Sequence, residues 1–168
     1  LSYKKMKKLN DINYSIRRYF VDDFLNLSKD YISTSESILD IGGKKENKRG
    51  SFNINETHSN VKYINIDSTT NPDYLGNIYE MPILEETFDA FILTEVLEHI
   101  EFPIKALEES FRILKPNGIG IITTPFMFHI HADPYDFNRP TKQWYLNKLE
   151  KIGFEVIILR EQGGFWSV

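Results

Sequence analysis

An α/β fold built on a doubly wound, mostly parallel sheet is what this sequence predicts, and three observations carry the prediction. Short apolar runs alternate with amphipathic stretches along the whole chain. One run, Ile38-Leu39-Asp40-Ile41, ends in the glycine pair Gly42-Gly43. A second, Tyr63-Ile64-Asn65-Ile66-Asp67, ends in an acid, near the spacing of about 20 residues found in a nucleotide-binding βαβ unit. A glycine turn after a buried strand lets a ligand approach the backbone, and an acid at the tip of the next strand can accept hydrogen bonds from a ribose. The full G-x-G-x-x-G is missing, because Lys44, Lys45 and Glu46 follow the pair.

In chain order, apolar residues recur every three or four positions through Met6, Leu9, Ile12, Ile16, Phe20, Phe24, Leu27 and Tyr31, which predicts an amphipathic helix or helix pair before the first strand. Tyr19, Phe20 and Phe24 are read as core. Residues 44–60 are rich in Lys, Asn, Ser and Glu, with little periodicity, so the helix expected after the glycine turn is short or absent. Phe88 to Leu93 has the continuous apolar character of a strand covered on both faces, with Thr94 at its end. Pro103 suits the first turn of a helix striped by Ile104, Leu107, Phe111 and Leu114; Lys115-Pro116-Asn117-Gly118 reads as its stop and a turn. Ile119 to Thr124 is a further strand. Thr141 can cap a helix through Ile152, Gly153 can end it, and Phe154 to Leu159 completes the pattern as a last strand. The expected organisation is one domain over 1–168, a helical segment at 1–34 and an α/β core at 35–168.

A net charge of −4 gives no field for a phosphate backbone, the cluster Lys4, Lys5, Lys7 and Lys8 notwithstanding, so no nucleic-acid partner is expected. The absence of cysteine removes disulfides, thiolate nucleophiles and cysteine-ligated zinc, and makes a cytoplasmic location the simplest expectation. The apolar run around Ile119 to Ile130 is broken by Gly120, Pro125 and His129 and falls short of a membrane span. Leu1 in place of Met points to a trimmed chain.

The middle of the chain resembles the class I S-adenosylmethionine-dependent methyltransferases, in particular the group with Leu-Glu-His after the fourth strand. The matching residues are Phe88 to Thr94 followed by Glu95-Val96-Leu97-Glu98-His99-Ile100, and then Phe111-Arg112-Ile113-Leu114-Lys115-Pro116-Asn117-Gly118. The resemblance covers roughly Ser37 to Leu159 and implies a Rossmann-like methyltransferase fold with S-adenosylmethionine as cofactor. It implies that Asp40, Ile41, Gly42 and Gly43 lie against the methionine part, that Asp67 binds the ribose hydroxyls, and that Asn77 and Ile78 face the adenine. Thr94 and Glu95 then line the sulfonium end. Relatives of this kind carry a final antiparallel strand, for which little sequence remains after Gly163 and Gly164, so an edge is left exposed or covered by another chain, as in a homodimer.

After the fifth strand comes a long loop, Pro125 to Thr141, dense in His, Asp, Tyr and Arg, on the sheet edge where α/β folds bind ligands. Relatives with a similar loop point to a small-molecule or glycan acceptor. His131 and Asp133 are the catalytic candidates, with His131 first as an imidazole titrating near neutral pH; His129 and Asp136 stand behind them. Glu98 and His99 read as capping and packing residues, and no metal ligand is assigned. Two other readings stand beside methyl transfer: a degenerate binding domain without turnover, and a metal-dependent hydrolase using His129, His131 and Asp133.

Overall fold

The computed structural model describes residues 15–46, 48, 50–131 and 135–162. Five parallel strands form one sheet: β1 (Ile38–Ile41), β2 (Val61–Asn65), β3 (Tyr74–Leu75), β4 (Phe88–Thr94) and β5 (Leu114–Thr123). Their spatial order is β3-β2-β1-β4-β5. The chain steps outward from β1 to β3, returns to the far side of β1, and steps outward again, so a switch point lies between β1 and β4.

Alternation along the strands divides the core in two. Leu39, Ile41, Phe91 and Leu93 face α2 (Pro103–Arg112) and α3 (Lys142–Ile152), packing with Ala106, Leu107, Tyr145 and Leu149. Ile38, Ala90 and Ile92 face the other way, against Val21 and Leu25 of α1 (Ile16–Ser28). The sheet is therefore covered on both faces, as the alternation of elements predicts.

The helix ends follow the sequence signals. Ser15 caps α1 by accepting from the Arg18 amide, Pro103 opens α2, and Thr141 Oγ1 accepts from the Trp144 amide at 3.2 Å. Gly153, at φ 118°, ends α3 in the left-handed region. Residues 44–60 contain only a 3-10 turn at Ile54–Glu56 among those described.

Four expectations are corrected. The buried face of α1 is Val21, Asp22, Leu25 and Ser28, whereas Ile16, Leu27 and Tyr31 are exposed and Phe20 and Phe24 only half-buried; the part of the stripe before residue 15 lies outside the described residues. On α2, Ala106, Leu107 and Ser110 are buried and Ile104 and Phe111 exposed. Lys115 to Gly118 does not separate helix from strand but lies inside β5, because a register shift between Phe88 and Ala90 takes up the extra residues, with Asn117 at φ 63°. Phe154 to Leu159 forms no strand: Phe154 packs edge-on against Phe91 and Phe111, and β5 pairs on one side only among the described residues.

Asp89 ties the start of β4 to its surroundings. Its Oδ2 accepts from the Ser37 amide at 2.8 Å and the Ser37 hydroxyl at 2.7 Å, and its Oδ1 from Lys115 Nζ at 2.8 Å. The Lys115 and then the Ser37 hydrogen bonds hold its carboxyl down at about 2. A folded pKa below the unfolded value of about 3.9 means that the stabilisation is complete above pH 4 and is lost as pH falls toward 2. With the side chain 27% exposed, the solvent-screened contribution is about 1 kcal/mol. Urea unfolding at pH 6 and pH 3 should show Asp89→Asn losing about 0.5 kcal/mol less than the parent between the two; equal losses would refute the assignment.

Candidate active site

The carboxyl ends of β1, β2 and β4 open into a cleft of about 440 Å³, a size suited to a small organic ligand. Of the sequence candidates, Asp40, Ile41, Gly42, Gly43, Asn77, Ile78, Thr94 and Glu95 all line it. A larger cleft of about 1530 Å³ runs along β5 between α1 and residues 153–162, following the sheet edge that Phe154 to Leu159 leaves unpaired. The smaller cleft sits at the switch point, where α/β sheets bind ligands, and holds the motif residues, so it is the candidate site.

The glycine turn is shaped by close approach. Gly42 adopts φ 79°, and a Cβ there would lie 2.7 Å from Val96 Cγ2; a Cβ on Gly43 would lie 2.2 Å from Asp40 Oδ1. The Asn65 amide nitrogen holds the turn open by donating to the Gly42 and Gly43 carbonyls at 3.1 Å each. Burial pushes the Asp40 carboxyl up to about 6, partly offset by the Lys48 ammonium. Lys48 Nζ in turn donates to the Tyr63 hydroxyl at 2.6 Å. Lys45 is turned away and pairs with Asp73 at 3.1 Å, so it does not fill the turn.

At the end of β4, the Thr94 hydroxyl oxygen is buried with no partner among the described residues. Glu95 follows in the left-handed region, at φ 55°, a conformation uncommon for a side chain of its kind and concentrated at functional sites. Its carboxylate pairs with Arg17 of α1 and accepts from the Thr123 hydroxyl at 3.0 Å.

Asp67 is not brought into the cleft. β2 ends at Asn65, and Asp67 is exposed two residues on, its Oδ1 accepting from the Thr69 amide at 2.9 Å and hydroxyl at 2.7 Å. Those hydrogen bonds hold its carboxyl below the usual range. Asn77 lines the cleft with its Oδ1 accepting from the Tyr79 amide at 3.0 Å. Its segment is anchored from α2, where Glu109 Oε1 accepts from the Met81 amide at 2.7 Å and Arg112 donates to the Ile83 carbonyl at 2.8 Å.

The sequence reading missed the wall supplied by α1. Arg18, Asp22 and Leu25 line the cleft, and the buried Asp22 accepts from the Ser51 amide at 2.5 Å and hydroxyl at 2.8 Å. A carboxylate on the inward face of an amphipathic helix was the available signal.

Beside the cleft, the loop after β5 folds onto Leu97–His99: the Phe137 amide donates to the Glu98 carbonyl at 2.7 Å, and His99 Nδ1 lies 2.5 Å from the Tyr135 carbonyl. This brings His131 over Glu98, its amide donating to Asp136 Oδ2 at 3.0 Å. Asp136 is held in turn by both Arg139 guanidinium nitrogens, which keep its carboxyl at about 2. Glu98 is 0% exposed, and burial, reinforced by the Glu95 charge, pushes its carboxyl well above the usual range. It is not the capping residue expected, since neither carboxylate oxygen has a hydrogen-bond partner among the described residues. His129 is exposed and stacks on Phe128, and Asp133 lies outside the described residues, so the grouping that forms is Glu98, His99 and His131.

A sequence family described as "Methyltransferase domain" matches residues 45–122, which run from just after the glycine turn through β5. A 50-residue stretch, 30% of the chain, is 32% identical to a protein of Mycolicibacterium smegmatis named as a probable S-adenosylmethionine-dependent methyltransferase, of which it spans 20%. A 44-residue stretch, 26% of the chain, is 43% identical to a protein of Schizosaccharomyces pombe named as an uncharacterized methyltransferase, of which it spans 16%. Matched segments thus reach no more than a fifth of these relatives' lengths. In fold, 92% of the chain superposes on 76% of a SAM dependent methyltransferase from Archaeoglobus fulgidus, at a TM-score of 0.66 and 16% identity. With its sheet order and its cleft at the β1–β4 switch point, the chain has the fold of these S-adenosylmethionine-dependent methyltransferases, and its residues 45–122 match the methyltransferase domain family.

Proposed function

We propose that the protein is a methyltransferase that binds S-adenosylmethionine in the 440 Å³ cleft and takes its acceptor, a small molecule or glycan, from the side of the Pro125–Thr141 loop. The observation that carries the reading is the fit of the cleft: a glycine turn with no room for a Cβ, beside a buried Thr94 hydroxyl left without a partner. Gly42 and Gly43 would hold the amino-acid end against bare backbone, while Asn77 and Ile78 border the far end where a base would lie.

When bound, the cofactor supplies an activated methyl group on sulfur. The protein's task is to align the acceptor in line with it and to receive a proton from a hydroxyl or amine. Glu95, fixed by Arg17 and Thr123, shapes the wall where β4 ends. His131, backed by Asp136, stands with Glu98 and His99 on the acceptor side, where that proton is released. Asp67 sits outside the cleft while its carboxylate caps the Thr69 turn; contact with a ribose requires that turn to open.

Calorimetric titration with S-adenosylhomocysteine and, separately, NAD tests the reading. One equivalent of the sulfur nucleoside is expected to bind with a micromolar constant and NAD not at all. No binding of the sulfur nucleoside would overturn the proposal. Binding without methyl transfer to any hydroxyl- or amine-bearing acceptor would favour a binding domain without turnover.

A further inference from the structure

We propose that Glu98, His99 and His131 form a site for a divalent transition-metal ion on the wall of the cofactor cleft, with positions left open for an oxygen of the acceptor. The first support is Glu98 itself. Its carboxylate is completely buried and both oxygens lack a hydrogen-bond partner among the described residues. A buried carboxylate with nothing to satisfy it is costly, and a cation is the group that answers it.

The second is convergence. His99 Nε2 lies 3.7 Å and His131 Nε2 4.0 Å from the same Glu98 Oε1. One donor atom from each residue falls within 4.8 Å of the others. An ion about 2.0–2.2 Å from each donor would draw the three together by about an ångström.

The third is what lies behind the rings. His99 Nδ1 is 2.5 Å from the Tyr135 carbonyl oxygen, and His131 Nδ1 is 3.4 Å from Asp136 Oδ2, itself clamped by Arg139. Metal-binding imidazoles characteristically give their second nitrogen to a carbonyl or carboxylate, which fixes the tautomer that leaves the first nitrogen free for the metal. His99 has that arrangement, and His131 turns Nδ1 toward the Asp136 carboxylate without hydrogen-bonding to it; Nε2 of each ring is turned to Glu98. The loop that carries His131 is pinned to the same spot by the Phe137 and Asn138 amides, which donate to the Glu98 carbonyl at 2.7 and 3.3 Å.

Two imidazoles and one carboxylate suit zinc, cobalt, iron or manganese better than calcium or magnesium. Three protein donors leave room for further ligands, and His99 also lines the cofactor cleft, so the ion would border the acceptor's space. Its role there rests on the methyltransferase reading; the site itself does not. A bound hydroxyl acidifies on such an ion. Its proton passes to solvent, its oxygen bonds to the methyl carbon, and the carbon–sulfur bond breaks to leave a thioether.

The test uses the full chain, stripped with chelator and titrated with cobalt(II) chloride while visible absorption is followed, then with zinc chloride by calorimetry. One equivalent should bind, with d–d bands of a low-coordinate nitrogen and oxygen site. Glu98→Gln and His131→Ala should each weaken binding at least tenfold, with His129→Ala unchanged. His99→Ala, with thermal melting of every variant, keeps the test decisive if another variant fails to fold. No saturable binding, or binding indifferent to Glu98 and His131, would refute the site and leave the rings as hydrogen-bonded or protonated partners of Glu98. S-adenosylhomocysteine titrated into the stripped protein separates the two proposals: its failure beside intact cobalt binding removes the methyltransferase reading alone, and the converse removes the metal site alone.

Discussion

Phe91→Ala is expected to cost about 3–5 kcal/mol, which for a domain of this length lowers the melting temperature by roughly 10 °C. Phe91 is fully buried in β4, paired in register with Leu39 on β1 and Gly120 on β5. Its ring occupies the space that a side chain at position 120 would need, since a Cβ there would lie 2.4 Å from Phe91 Cζ. On its other flank it meets Phe154 edge-on at 6.2 Å, the contact that holds the segment after α3 against the sheet in place of strand pairing. Truncation therefore removes the ring's burial and leaves a cavity between β4, β5 and residue 154 that rigid strands cannot close. Gly120→Ala should be destabilising for the complementary reason, as overpacking against the same ring. Because the two residues share one space, Phe91→Leu combined with Gly120→Ala should cost less than the sum of the single changes. Strict additivity in chemical denaturation would show that the glycine is not what accommodates the ring.

The sheet was legible in the sequence wherever burial is continuous. Ile38 to Ile41 and Phe88 to Thr94 are largely apolar because both faces are covered, and the caps act locally, Thr141 through its hydroxyl on the Trp144 amide and Gly153 through its left-handed backbone. Features fixed by distant partners were not legible. Lys115-Pro116-Asn117-Gly118 has the composition of a turn, and only pairing with β4 carries it into a strand. Phe154 to Leu159 has the composition of a strand but finds an aromatic cluster rather than a neighbouring strand. The face of α1 was misjudged because aromatic residues at helical spacing outweighed Asp22, whose burial depends on Ser51 in a loop that local patterns do not predict.

The same division holds for the site. Gly42, Gly43 and Thr94 sit at strand ends, so their place in the cleft follows from topology. The acid after β2 was read from its position, yet a threonine two residues on offers it a closer partner. Glu98, His99 and His131 come together because the loop after β5 folds back onto the turn after β4, and nothing in their spacing announces that contact.

Gly43→Ala is expected to weaken S-adenosylhomocysteine binding at least tenfold, about 1.4 kcal/mol, in a protein that still folds. The added methyl would fall between 2.2 and 2.4 Å from the Asp40 carboxylate atoms, so the Asp40 side chain must swing rather than the strand shift. That carboxylate lines the cleft and is poised near neutrality by burial and Lys48, so its displacement moves a polar wall into ligand space. The turn carbonyls, fixed by Asn65, have no slack with which to retreat. Lys45→Ala supplies the contrast in the same loop. Its ammonium points to Asp73, away from the cleft, so the cofactor's affinity should stay within about twofold. Together the two variants decide whether the incomplete glycine motif is a defect. If Lys45 is neutral and Gly43 critical, two glycines suffice because the close approach is needed only where backbone faces ligand. If Gly43→Ala binds as the parent does, the ligand does not lie against this turn, and the cleft's assignment falls with it.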